Sequence, residues 1–82
     1  MRDMLDAQTE AQEVIRDRLG VEAQVGFHYN GETLENVSIA MNAGEVKNRN
    51  VTELESAAQI AVKRAFDEKP KAIYIQLYFT AN

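Results

Sequence analysis

The chain has no cysteine and no tryptophan, a single proline, a single histidine and four glycines among 82 residues. Without cysteine there is no disulfide, no thiolate metal site and no cysteine nucleophile. One histidine with no thiolate to join it makes a poor transition-metal site. As a general base, His28 needs an oriented partner and a nucleophile within reach, and no pattern supplies them, so it reads as a solvated strand residue. Basic charge is also scarce: nine Lys and Arg stand against thirteen Asp and Glu, a net charge of −4. That balance argues against sequence-independent nucleic-acid binding, which needs a basic stripe to displace counterions, and against an anionic membrane surface. No apolar run reaches the ~18 residues of a membrane span, and no signal-peptide pattern is visible. A P-loop spacing and a GxxG loop are both missing. There is no internal repeat, low-complexity segment or linker, and the length implies one domain, residues 1–82.

The residues that are present alternate between two periods. From Asp3 to Leu19, apolar positions recur at helical spacing: Met4, Ala7, Ala11, Ile15 and Leu19, with Val14 flanking. Arg16 and Arg18 suit the negative end of the helix dipole, and Gly20 suits a left-handed C-terminal cap. Asp3, Asp6, Glu10, Glu13 and Asp17 form an acidic series along this helix that reads as a solvated face, not as paired catalytic carboxylates. From Val21 to Tyr29 the period drops to two: Val21, Ala23, Val25, Phe27 and Tyr29 alternate with Glu22, Gln24, Gly26 and His28. Asn30-Gly31 is a strong hairpin signal, and a second strand runs from about Thr33 to Met41.

Register is constrained by the faces. A two-residue Asn30-Gly31 turn would put Val37, Ile39 and Met41 on the wrong side, unless a bulge lies near Glu35. A three-residue loop, Asn30-Gly31-Glu32, pairs Val25 with Val37 and Ala23 with Ile39 and keeps every apolar residue on one face. A one-residue slip inverts a whole strand, so the three-residue loop, or a bulge of the same effect, is expected.

A polar loop over 42–50 leads to a second helix, whose start is marked by a capping box at Thr52-Glu53-Leu54-Glu55, with Asn50 a rival cap. The helix is expected to run to about Glu68, with Leu54, Ala57, Ala58, Ala61 and Ala65 as its inner stripe and Pro70 closing the segment. The last strand covers 72–79: Ile73, Ile75, Leu77 and Phe79 on one face, Tyr74 and Tyr78 on the other, broken by Gln76.

The fold class that follows is α+β, a two-layer α/β sandwich in the order α-β-β-α-β, with a three-stranded mixed or antiparallel sheet and both helices on one face. Strand order 2-1-3, which makes every pair antiparallel, is favoured over 1-2-3. In either order the last strand is an edge. It holds no Lys, Glu or Pro across 72–79, although native edges are normally charged or covered. Tyr74, Gln76, Tyr78 and Phe79 are therefore the expected interface, with a second copy or another protein as partner. The loop residues Lys47 and Arg49, ahead of a helix N-terminus, form a candidate anion site. No cofactor, metal site or catalytic set is expected.

The order of elements resembles BON domains and the ring-building modules of secretion and sporulation assemblies. The carrying features are the Val21/Ala23/Val25/Phe27 alternation, the Asn30-Gly31 turn, Ala57-Ala58-Gln59-Ile60-Ala61, the Lys69-Pro70-Lys71 turn and the Ile73/Ile75 strand. The resemblance implies a non-enzymatic domain that packs against its like or against envelope partners, and no functional residue is carried across. The expected function is a non-catalytic interaction and assembly module using the 72–79 edge and the open sheet face. The alternative is a ligand- or nucleic-acid-binding domain using that face and the 44–50 loop. Compartment stays open: cytoplasmic as the chain stands, cell envelope if Met1-Arg2-Asp3-Met4 follows a leader or lipoprotein anchor.

Overall fold

The computed structural model describes residues 4–81. It contains helix α1 (Met4–Leu19), strands β1 (Ala23–Asn30) and β2 (Thr33–Asn42), a 3-10 turn (Ala43–Glu45), helix α2 (Val51–Ala65) and strand β3 (Ala72–Tyr78). The α-β-β-α-β order and the α+β class are those expected from the sequence. The start of the first helix at Asp3 falls outside the described residues, as does the side chain of Met4.

The α1 stripe is buried from Ala7 through Ala11, Val14 and Ile15 to Leu19. The helix stops where Gly20 takes φ +73° and donates its N–H to the carbonyl of Arg16 at 2.8 Å. That is the left-handed cap glycine adopts without a Cβ penalty. Arg16 then reaches forward to Glu22 at 2.8 Å, pinning the link into β1.

The hairpin differs from the favoured register. Asn30 pairs with Thr33 and Tyr29 with Leu34, so the turn residues are Gly31 and Glu32, and Gly31 takes φ +66°. One extra residue, Glu35, is then accommodated by a bulge opposite His28/Tyr29. Beyond it Phe27 faces Val37, Val25 faces Ile39 and Ala23 faces Met41. The expected Val25–Val37 pairing is thus displaced by two residues. The faces survive because the bulge at Glu35 restores the parity that the short turn upsets.

Strand order is the second correction. The sheet runs β1-β2-β3, with β1 and β2 antiparallel and β2 and β3 parallel, so it is mixed and the favoured 2-1-3 order does not form. The β2-α2-β3 segment is a crossover unit that returns beside the strand it left. The bulge also fixes the entry to β3: the Glu35 carbonyl accepts the Lys71 N–H at 3.0 Å, and its carboxylate lies 3.4 Å from the Lys71 Nζ.

Helix α2 corrects two further expectations. Its cap is Asn50, not Thr52: the Asn50 Oδ1 accepts the Glu53 N–H at 2.8 Å while the Glu53 carboxylate accepts the Asn50 N–H, closing a capping box two residues early. It ends at Ala65, not near Glu68, because Phe66 is already extended (φ −115°, ψ 142°). That turn drives the Phe66 ring against Phe27, with centroids 5.7 Å apart.

Both helices and one face of the sheet contribute to the same buried cluster. Leu34, Val37, Ile39 and Met41 of the central strand are wholly buried, and the alanines at 57, 58, 61 and 65 lie among them. Among the described residues, the buried set contains no charged or polar residue.

Candidate functional site

Two edges bound the sheet, and they are finished differently. Along β1, helix α1 lays amide side chains against the main chain: Gln8 Nε2 donates to the Val25 carbonyl at 2.9 Å, and Gln12 Nε2 donates to the Ala23 carbonyl at 3.1 Å. Helix α1 thereby covers the β1 edge with hydrogen bonds as well as bulk. Along β3, among the described residues, no side chain bonds to the backbone of Ala72–Tyr78. A row of unpaired main-chain groups is a template for another strand.

The apolar surface of the domain is gathered at that same edge. Among the described residues, the large exposed hydrophobics are Val51 (68% exposed), Tyr74 (55%), Leu77 (52%), Tyr78 (43%) and Phe79 (79%). Four of them belong to β3 or its next residue. Val51 is the first residue of α2. Scattered exposed hydrophobics are ordinary, whereas a contiguous group marks a contact surface.

Alternation along β3 divides this surface. On the open face the cross-strand rows are Gln24–Ala40–Gln76 and Gly26–Ser38–Tyr74, with Asn42 beside Tyr78. The rows next to β3 are floored by small residues, Ala40, Ser38 and Gly26. A Cβ on Gly26 would stand 3.0 Å from the Ser38 hydroxyl, which shows how closely that row is packed. On the helix face, Ile73 and Ile75 are half-buried against the core, while Leu77 and Phe79 run past it into solvent. The strand itself ends at Tyr78, so Phe79 is its immediate extension.

Between the C-terminal half of α2 and the start of β3 lies a groove of ≈ 500 Å³, lined by Gln59, Val62, Lys63, Phe66 and Ile73 and closed by the Asp67–Pro70 turn. Its floor is apolar and its rim is charged.

Of the two candidate anion-site residues, Arg49 has partners within the domain. Arg49 is paired with Glu53 at 3.0 Å and donates to the Leu19 carbonyl at 3.3 Å, tying α2 to the end of α1. Lys47 is exposed. The positive end of α2 already carries a carboxylate: the Arg49 hydrogen bond, then the Asn50 N–H, hold the Glu53 carboxyl below its ordinary value. His28 lies on the open face of β1 opposite Asn36. Among the described residues, no three potential ligands gather to hold a metal ion, and no helix is long and apolar enough to cross a membrane.

The sequence reading singles out Tyr74, Gln76, Tyr78 and Phe79, which the structure places at the β3 edge; it passes over Gln8 and Gln12, whose role depends on which strand is the far edge, and Gln59 and Lys63 on the groove. Set against known protein families, curated proteins and solved structures, the chain matches none.

Proposed function

We propose that this domain is a non-catalytic assembly module, which binds a protein partner by extending its sheet through the free edge of β3. The observation that carries the reading is the contrast between the two edges. The β1 main chain is covered by glutamines from α1, whereas the β3 main chain is bare and flanked by the largest exposed apolar side chains of the domain. Strand addition draws affinity from main-chain hydrogen bonds and specificity from alternate side chains, and tyrosines suit the half-wet face such an addition leaves. The ordering of elements, like that of BON and ring-building domains, is in keeping with a part made to pack against its like.

Size-exclusion chromatography with light scattering on the wild type and Tyr78→Lys tests it. The expected result is an associating wild type and a folded, monomeric variant, because a charge at the edge opposes pairing. Gln76→Pro, which removes a main-chain donor from the edge, is expected to act in the same way. Association that survives both changes overturns the proposal.

A further inference from the structure

Resting on that reading, we infer that the partner is a second copy of this chain, joined antiparallel to β3 about a twofold axis that passes through Gln76 in the sheet and Gln59 in the helix layer. Two separate patterns in this chain place the axis at the same point.

The first pattern is in β3. Antiparallel strands related by a twofold keep opposed residues on the same face. An axis at Gln76 sets Tyr74 opposite Tyr78 of the second copy and Gln76 opposite itself on the open face. On the helix face it sets Ile75 opposite Leu77, and Ile73 opposite Phe79. That last pairing brings the most exposed aromatic side chain of one copy to the groove of the other, whose floor is Ile73, Phe66 and Val62.

The second pattern is in α2. Glu55, Gln59 and Lys63 are exposed and follow one another at i,i+4 spacing, so they share one stripe. Gln59 and Lys63 line the groove beside β3, which puts the stripe on the flank that a second copy would meet. Across a twofold at Gln59, Glu55 of each copy faces Lys63 of the other. The described ion pairs within the domain are Arg16–Glu22, Arg49–Glu53 and Lys71–Glu35, and neither Glu55 nor Lys63 belongs to them.

The two centres stand at one level. Phe27, Val37 and Ile73 form a single row across the sheet, and Phe66 packs on Phe27. From that row, Gln59 lies ~10 Å back along α2 at about 1.5 Å per residue, and Gln76 lies ~10 Å along β3 at about 3.3 Å per residue. Moving the axis one residue, to Ile75, shifts the helix centre by about two residues. Glu55 would then lose Lys63 as its counterpart across the axis, and Phe79 would face Lys71 of the second copy. Charge and apolar matching therefore choose the same register.

The test is a charge exchange read by sedimentation velocity over a dilution series, with far-UV circular dichroism to check folding. Glu55→Lys and Lys63→Glu each place like charges across the axis and are expected to weaken self-association about tenfold or more at low salt. An equimolar mixture of the two variants is expected to recover association as a mixed dimer, and the double variant to associate like the wild type. A wild type that associates, with single variants that do so equally well or a mixture that recovers nothing, overturns this axis and leaves the assembly reading standing. A wild type that stays monomeric at every concentration overturns the second copy as partner, while the bare edge could still receive a different protein.

Discussion

Phe79→Ser is expected to separate folding from association. Phe79 follows the last residue of β3 and is 79% exposed, so its ring gives little to the fold of one copy. Substitutions at such positions usually move stability by no more than about 0.5 kcal/mol. A phenylalanine carries ~200 Å² of buriable surface, of which roughly four-fifths is still in water here. At ~25 cal/mol per Å² the ceiling is about 4 kcal/mol. A groove that covers half of that surface recovers about 2 kcal/mol per copy. A twofold interface uses the residue twice, so Phe79→Ser is expected to cost the dimer about 4 kcal/mol, close to a thousandfold in Kd.

The assay is equilibrium sedimentation for the dimer, paired with urea unfolding at concentrations where the chain is monomeric. The expected result is a large rise in Kd with an unchanged midpoint and m-value for the monomer. An unchanged Kd with a monomer destabilised by more than about 1 kcal/mol would refute the reasoning, since it would mean that the ring packs on its own core.

Other outcomes test the frame on which the edge rests. In the Tyr78→Lys background, Ile39→Ala is expected to cost about 3–4 kcal/mol and Ile75→Ala about half as much, because Ile39 is wholly buried on the central strand and Ile75 is half-buried on the edge; equal costs in urea titrations would contradict the β1-β2-β3 order. Asn50→Ala is expected to cost about 1 kcal/mol through loss of the α2 cap, seen as a Tm lower by about 4–8 °C. The Glu53 carboxyl is held below its unfolded value, chiefly by Arg49, so its contribution is present above the unfolded pKa and fades as pH falls through the folded one. Thermal melts of Glu53→Gln are accordingly expected to lose part of the acid limb of the wild-type stability profile, by a small amount because the pair is exposed.

Periodicity made the elements legible and left their neighbours undetermined. The α1 stripe through Ala11 and Ile15, and the two-faced alternation of β3, were readable because burial repeats at 3.6 and 2 residues. The same alternation says which face a strand presents and nothing about which strand lies beside it. The 2-1-3 order failed for that reason: the tie that places β3 on β2 is a main-chain bond from Lys71 to the bulge residue Glu35, and no side-chain pattern encodes it. The hairpin was half readable. Parity demanded an irregularity, but Gly31-Glu32 with a bulge and a longer loop both satisfy parity. Thr52 and Asn50 are both good caps, and the contest was decided by the Glu53 carboxylate, which closes on Asn50. The α2 terminus was misplaced because the charged run after Ala65 is compatible with helix, while the burial of the Phe66 ring against Phe27 is a tertiary demand.

The candidate edge was visible in β3 from its missing charges, but its meaning came from the other side of the sheet. A bare strand in a small domain can simply reflect a chain too short to cover both edges. Here the chain does cover one: α1 lies along β1 and its Gln8 and Gln12 amides reach that strand's carbonyls. Helix α2 packs on β3, and among the described hydrogen bonds none runs from its side chains to the β3 main chain. It presents instead a stripe of Glu55, Gln59 and Lys63 over an apolar groove. A domain of this size buries only about 60–65% of its unfolded surface, so apolar area left at one edge is a substantial share of what it could have used for its own stability. On the proposed assembly, covering β3 in trans would return that area to the fold and tie the stability of each copy to its concentration. Ile73 and Ile75 are anchored against the core, whereas Leu77 and Phe79 stand exposed, where such a partner would meet them.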